Sequence, residues 1–204
     1  MVLIMKRLLI SFLLILFSSQ ICFGAISEGT NAGFVSSAPV DDPVGGSSDL
    51  GIDTFARACK FTSPVGSNTL TSIGWWSSRA TEEADFQVGI YSHDADNNLP
   101  NVLLASSGDI AKGTSGGWIK ATVNYSLTTS TVYWLAVQCD DTATTTNIDR
   151  TDTAGYKAER KNTQTSLPAL WGTSQSTGEI LLAIYGLTQI VVAGVTDTQV
   201  IMIN

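Results

Sequence analysis

Charge, histidine and cysteine are all scarce in this chain. Lys, Arg, Asp and Glu make up 14% of its 204 residues, against about 25% in an ordinary soluble domain. His93 is the only histidine. One imidazole would serve a hydrolytic triad, but no nucleophile elbow lies beside it, and a solvated turn histidine is the expectation. Eleven basic against eighteen acidic residues give a net charge of −7. That balance argues against a protein that holds nucleic acid through phosphate contacts. Extended 3.6-residue periodicity is missing, and so is an apolar run of the ~18–20 residues that a bilayer span needs.

The chain is instead rich in Thr (24) and Ser (22), with 18 Gly and 44% hydrophobic residues. This composition carries enough apolar material for a core and suggests a β-rich exported protein. Residues 1–24 read as a secretory signal peptide. Lys6 and Arg7 precede the short apolar stretch 8–17, and small residues lead to a cleavage point at Gly24-Ala25. Without Lys6 and Arg7, nine basic and eighteen acidic residues remain, a charge of −9. The expected location is secreted or cell-surface, with no stable membrane span in the mature chain. Cys59 and Cys139 are then the remaining cysteines. Both share strand parity with core-type residues, so both are expected to point inward. Export permits a disulfide between them; two buried thiols that never meet is the other reading.

Residues 25–54 form a Gly/Ser/Asp/Pro stretch that reads as a flexible leader. From Phe55 onward, short apolar runs alternate with turn residues. Strands are expected over 55–61, 69–76, 85–91, 102–106, 117–123, 131–139 and 179–185. This spacing predicts an all-β fold, an antiparallel sandwich spanning 55–187. Residues 140–177 form a polar excursion, with 156–159 or 167–171 as short strands inside it. Residues 188–204 add an apolar, β-prone C-terminal segment that would close its own sheet or add a strand to a neighbour. Ile190, Val192, Val200 and Met202 are its candidate assembly residues.

Several fragments occur in a suggestive order: Phe61-Thr62, Leu70 to Trp75, Phe86 to Tyr91, Leu99 to Ser106, Gly117-Trp118, and Leu127 leading into Thr131 to Val137. Over about 55–187 the chain resembles secreted bacterial choice-of-anchor β-sandwich domains. The resemblance implies a jelly-roll-like sandwich in which the hairpin around Leu99-Pro100 packs beside the strand at Tyr133-Trp134. It also implies an extracellular module carried next to an anchoring signal. The chain departs from that habit, because no apolar segment followed by basic residues is read near its C-terminus. The resemblance brings no catalytic residues with it.

Three constellations remain. Glu82, Glu83, Asp85 and Glu179 would be needed as paired carboxylates for glycoside hydrolysis, but they read as surface charge, and no enzymatic activity is expected. Asp94, Asp96 and Asn98 place oxygens at alternate positions, as the opening of a calcium loop does. Leu99 and Ala105 stand where an EF-hand needs Gly and Glu, so the candidate is a non-EF site completed by Asp140, Asp141 or Asp149. A plain Asx turn is the competing reading. Adjacent aromatics on a strand must face opposite ways. In a one-sided sheet Trp75 and Tyr133 go inward, leaving Trp76 and Trp134 toward solvent. With Trp171 and Tyr91, these would form a sugar-stacking platform, unless the rings cover core edges or lie under the long loop. Asn124-Tyr125-Ser126 is a formal glycosylation sequon. The chain is therefore expected to be a non-catalytic secreted or cell-surface structural or adhesive module. Its expected partner is itself or a cell-surface protein through the C-terminal segment; a carbohydrate-binding module is the alternative.

Overall fold

A computed structural model describes residues 25–43, 50–66 and 68–190. The expected signal peptide and residues 191–204 lie outside the described residues. Strands alone make up the regular structure there, with no helix. The first eight are β1 (Gly33–Val35), β2 (Leu50–Gly51), β3 (Ala56–Thr62), β4 (Asn68–Ser77), β5 (Asp85–Asp94), β6 (Leu99–Ser106), β7 (Ile110–Ala111) and β8 (Gly117–Leu127). The rest are β9 (Val132–Cys139), β10 (Asn147–Ile148), β11 (Arg150–Asp152), β12 (Ala158–Lys161), β13 (Ser176–Gly178), β14 (Ile180–Leu182) and β15 (Ile184–Ile190).

Two sheets form a sandwich, so the all-β expectation holds. One has the order β1-β15-β4-β10-β2, with β8 on the opposite side of β4. The other has the order β13-β12-β3-β9-β5-β6, with β7 also on β5. β11 and β14 make a small separate ladder. Between the main sheets, alternate residues meet: Trp75 of β4 packs edge-on against Phe86 of β5 at 6.0 Å between ring centroids. Tyr133 contacts both Phe34 (6.4 Å) and Tyr125 (6.0 Å). Trp75, Tyr133, Cys59 and Cys139 all point into this core, as their parity predicts.

The leader expectation is corrected in part. Residues 25–43 are built into the sandwich: β1 lies parallel to β15, and Ile26, Ala32, Phe34 and Val35 are buried. The apolar residues scattered among Gly and Ser reach the open side of β15, where main-chain bonding compensates for a weak local pattern. Ile52 is also fully buried, and Asp53 accepts the main-chain N–H of Thr146 and the hydroxyl of Thr142, both at 3.0 Å. The expected strand over 179–185 is broken at Ala183. β14 pairs with β11, whereas β15 pairs with β4 and β1.

The main surprise is β9. Seven of its eight residues are buried, on both faces of the sheet. Tyr133, Leu135, Val137 and Cys139 face the sandwich core. Trp134 and Ala136 face the other way and are also fully buried, in a second apolar cluster with Ala56, Ala58, Tyr91, Leu167 and Trp171. The cover is the strap at residues 162–176, part of the predicted excursion. Small side chains at 56, 58 and 136 leave room for the indoles of Trp134, from the sheet, and Trp171, from the strap. Gly89 lets the strap approach closely, since a Cβ there would lie 2.7 Å from Leu167 Cδ1. Polar bonds hold the strap down: Tyr91 donates to Pro168 O (2.8 Å), and Gln87 Oε1 accepts the Leu167 N–H (2.8 Å).

Trp171→Ala should remove the largest contribution of the strap to this cluster and cost about 3–5 kcal/mol of stability, the usual range for a buried Trp. A urea titration checks it. A loss below about 1 kcal/mol would mean that the strap does not pack as a core element.

Candidate functional site

The aromatic platform is corrected by burial. Trp134, Trp171 and Tyr91 are each fully buried and present no ring face to solvent. Tyr91 and Trp171 stand edge-to-face at 5.2 Å, and Trp171 Nε1 donates to Ser174 Oγ (2.9 Å). Trp76 is half-buried and packs edge-on against Trp118 at 5.4 Å. Trp118 in turn packs on Tyr185 and donates to Asp41 O. Gly74 makes this arrangement feasible, because a Cβ there would sit 2.5 Å from the Tyr185 ring. The expectation of outward tryptophans assumed a sheet covered on one face only. The unbroken apolar run Val132 to Val137 was the signal against it, since two-sided burial removes alternation.

The acidic turn between β5 and β6 is self-contained. Asp94 Oδ1 accepts the main-chain N–H groups of Asp96 (3.1 Å) and Asn97 (3.2 Å), while Oδ2 accepts from Asn97 Nδ2 (2.9 Å). These bonds hold the Asp94 carboxyl below its ordinary pKa, with the Asn97 side chain as the largest cause. Asn98 adopts a left-handed φ of 53°, a conformation that Asn tolerates well. Two ammonium groups converge on it: Lys60 Nζ donates to Asn98 Oδ1 (3.0 Å), and Lys157 Nζ donates to Asn98 O (2.7 Å). Lys157 also pairs with the buried Glu159 at 2.9 Å. Positive charge thus engages both oxygens of Asn98.

The proposed completing ligands are distant. Asp140 donates its N–H to Asp85 O, at the start of β5, whereas Asp94 ends that strand. The length of β5, roughly 30 Å at ~3.4 Å per residue, separates them. Asp141 follows Asp140 in the chain, and the Asp149 carbonyl accepts from Ala183, between β14 and β15. Among the described residues no three His, Cys, Asp or Glu side chains are grouped to hold a metal ion. The fold therefore does not bring Asp140, Asp141 or Asp149 to the turn at Asp94, Asp96 and Asn98.

Cys59 and Cys139 are free thiols. They lie on adjacent strands, but Cys59 is opposite Leu135, four residues short of Cys139. That offset is roughly 13 Å along the sheet, beyond the ~7 Å limit for a bridge. Burial raises both thiol pKa values to about 12.

Two of the four carboxylates, Glu82 and Glu83, are likewise engaged locally. Glu82 accepts from the N–H and hydroxyl of Thr144, both at 3.0 Å, and Glu83 accepts from Gly113 N (2.8 Å). The spacing Gly113-x-Ser115-x-Gly117, overlooked in the sequence reading, lies in the loop entering β8 rather than between a strand and a helix. It is near Glu83, at the opposite end of β5 from His93. His93 is not a free turn residue: its Nδ1 accepts the indole N–H of Trp134 at 3.2 Å.

Of the assembly residues, Ile190 ends β15 opposite Asn68, with its side chain 76% exposed. Val192, Val200 and Met202 lie outside the described residues. No helix among the described residues is long and apolar enough to cross a membrane. No protein-family model matches the chain, and no curated protein matches it. The resemblance to choice-of-anchor domains consequently assigns no residue a role.

The Trp134 bond requires an unprotonated His93 Nδ1. Burial, followed by the nearby Lys60 charge, lowers the His93 pKa from its ordinary 6.5. The unfolded chain therefore takes up this proton first as pH falls, and the stability from neutral His93 is present above 6.5 and lost below it. A thermal-midpoint series crossing 6.5 should slope downward toward acid for the native chain and be flatter for His93→Gln. Superimposable profiles would remove His93 as the titrating group.

Proposed function

We propose that this chain is a non-catalytic, exported structural module of a cell surface or extracellular matrix, and that it associates with further copies of itself through its C-terminal segment. The observation that carries the reading is the run-out of β15. Its main chain is still paired at Ile190 with Asn68, yet that apolar side chain projects from the fold. The sequence then continues with Val191-Val192-Ala193-Gly194-Val195 and Val200-Ile201-Met202-Ile203. A segment of this composition needs a burial partner, and strand addition supplies both main-chain bonds and side-chain register.

The local engagement of Glu82, Glu83, Asp94 and Glu159 also supports a structural role over a catalytic one. Their partners are turn amides, a Thr and a Lys, which serve the fold. The export reading rests on the sequence of residues 1–24 and the scarcity of charge.

Light scattering on the full chain, beside a Val192→Asp/Val200→Asp/Met202→Asp variant, tests the assembly reading. The native chain is expected to form oligomers or filaments and the variant to remain a folded monomer. Two folded monomers of equal mass would refute it.

A further inference from the structure

One long strand edge among the described residues has no main-chain partner. β8 runs for eleven residues and pairs only with β4. The other edges are short or already taken. β2 and β7 have two residues each, and β1, β11, β13 and β14 have three. β6, at the rim of the second sheet, is bonded by the strap: Leu103 N–H donates to Ala169 O (3.0 Å) and Trp171 N–H to Asn101 O (2.8 Å). A long open edge is a template for another strand.

The core is also incompletely closed beside that edge. β6 and β8 approach each other across the side of the sandwich without pairing. Along this seam Leu104 and Ala105 of β6, with Ile119 and Tyr125 of β8, pack on the core but are only partly buried. A recess of about 450 Å³ opens at one end, lined by His93, Leu104, Tyr125, Val132 and Tyr133 among others. Along β8 the odd residues from Ile119 to Leu127 turn inward, while Lys120, Thr122, Asn124 and Ser126 are exposed.

We propose that β8 is the acceptor edge for assembly, and that the strand added to it is residues 191–204 of a second copy. The proposal rests on the assembly reading above and names its docking edge. Those residues, extended, span roughly 48 Å at ~3.4 Å each, enough for the ~37 Å of β8. Their one charge is Asp197, and the one charge on β8 is Lys120. Setting the two opposite each other in antiparallel register lays residues 191–200 along residues 126–117 of β8. It places Val192 beside Tyr125 and Val200 beside Gly117, both on the inward face.

A second copy fits better than the chain's own tail. Asn68 of β4 pairs with both Ile190 and Leu127, so β15 leaves the fold two strand spacings from β8, travelling in the same direction. To reach its own β8 edge the chain would have to reverse across the rim. That would place Val191 to Val195 in a turn over the exposed polar residues Thr128, Thr129 and Ser130. A neighbour's segment brings Val192 and Val200 to the seam without that reversal.

The register puts Asn124 directly opposite Ala193 on the outward face, a pair that cysteines can bridge. Two chains of residues 25–204, one Asn124→Cys and one Ala193→Cys, are mixed under mild oxidation. Disulfide-linked heterodimers are expected, with neither variant linking alone and with the buried Cys59 and Cys139 inert. Lys120→Asp should lower association at least several-fold, and Lys120→Asp/Asp197→Lys should restore it. If Asn124→Cys links to itself, β8 pairs with a neighbour's β8 and the proposal fails. If one chain carrying both Asn124→Cys and Ala193→Cys closes within a monomer, the tail returns to its own sheet and the proposal fails. Oligomers without any cross-link would sink the β8 edge and leave the assembly reading standing; monomers throughout would sink both.

Discussion

The rest of the structure depends on burying β9 on both faces. A central strand with Tyr133, Leu135, Val137 and Cys139 on one side and Trp134 and Ala136 on the other cannot belong to a two-layer sandwich with a wet outer face. A third layer is required, and the strap at 162–176 provides it. Each feature of the strap follows from that need. Trp171 and Leu167 fill the space above three alanines, while Gln87 and Tyr91 tie its main chain to the sheet. The Lys161 ammonium, from β12, reaches the carbonyl of Trp171.

This cover has a second effect, on the edges of the sandwich. Because Ala169 and Trp171 bond along β6, one rim of the second sheet is closed by the chain itself. No equivalent segment lies along β8 among the described residues. The asymmetry concentrates the partly covered apolar surface at the β6–β8 seam, where Leu104, Ile119 and Tyr125 meet. It also gives the proposed assembly a direction, with an apolar segment leaving one strand end and an open edge elsewhere. Such an interface joins two different surfaces of the chain, so copies donating in sequence would extend into rings or filaments, and reciprocal donation would close a swapped dimer.

Polar groups serve the same economy. Asp94 satisfies the amides of its own turn, Asn98 collects two lysines, and Asp53 holds the loop at Thr142 to Thr146. An acidic cluster in a chain of low charge resembles a binding site when read as letters. In space the Asp94 oxygens accept N–H groups and the Asn98 oxygens accept ammonium groups, which a sequence pattern does not display.

Much of the sheet architecture was legible from period-two alternation and turn residues. Six of the seven expected strands lie within a few residues of β3, β4, β5, β6, β8 and β9, because alternation and Gly/Asn/Asp punctuation are local properties. The inward orientation of Trp75, Tyr133 and the two cysteines followed from the same parity. What lay beyond local pattern was contact between distant segments. The sequence could not say that residues 33–35 would join β15, that a polar excursion would return two apolar side chains to cover Trp134, or that Cys59 and Cys139 would be staggered by four residues. Those outcomes depend on strand register and on which faces are left uncovered once the sheets form. By itself the sequence determined an all-β chain with an inward-facing aromatic core. Only the tertiary structure decided which surfaces were already filled and which edge was left open, because burial is a property of the whole packed chain rather than of any one strand.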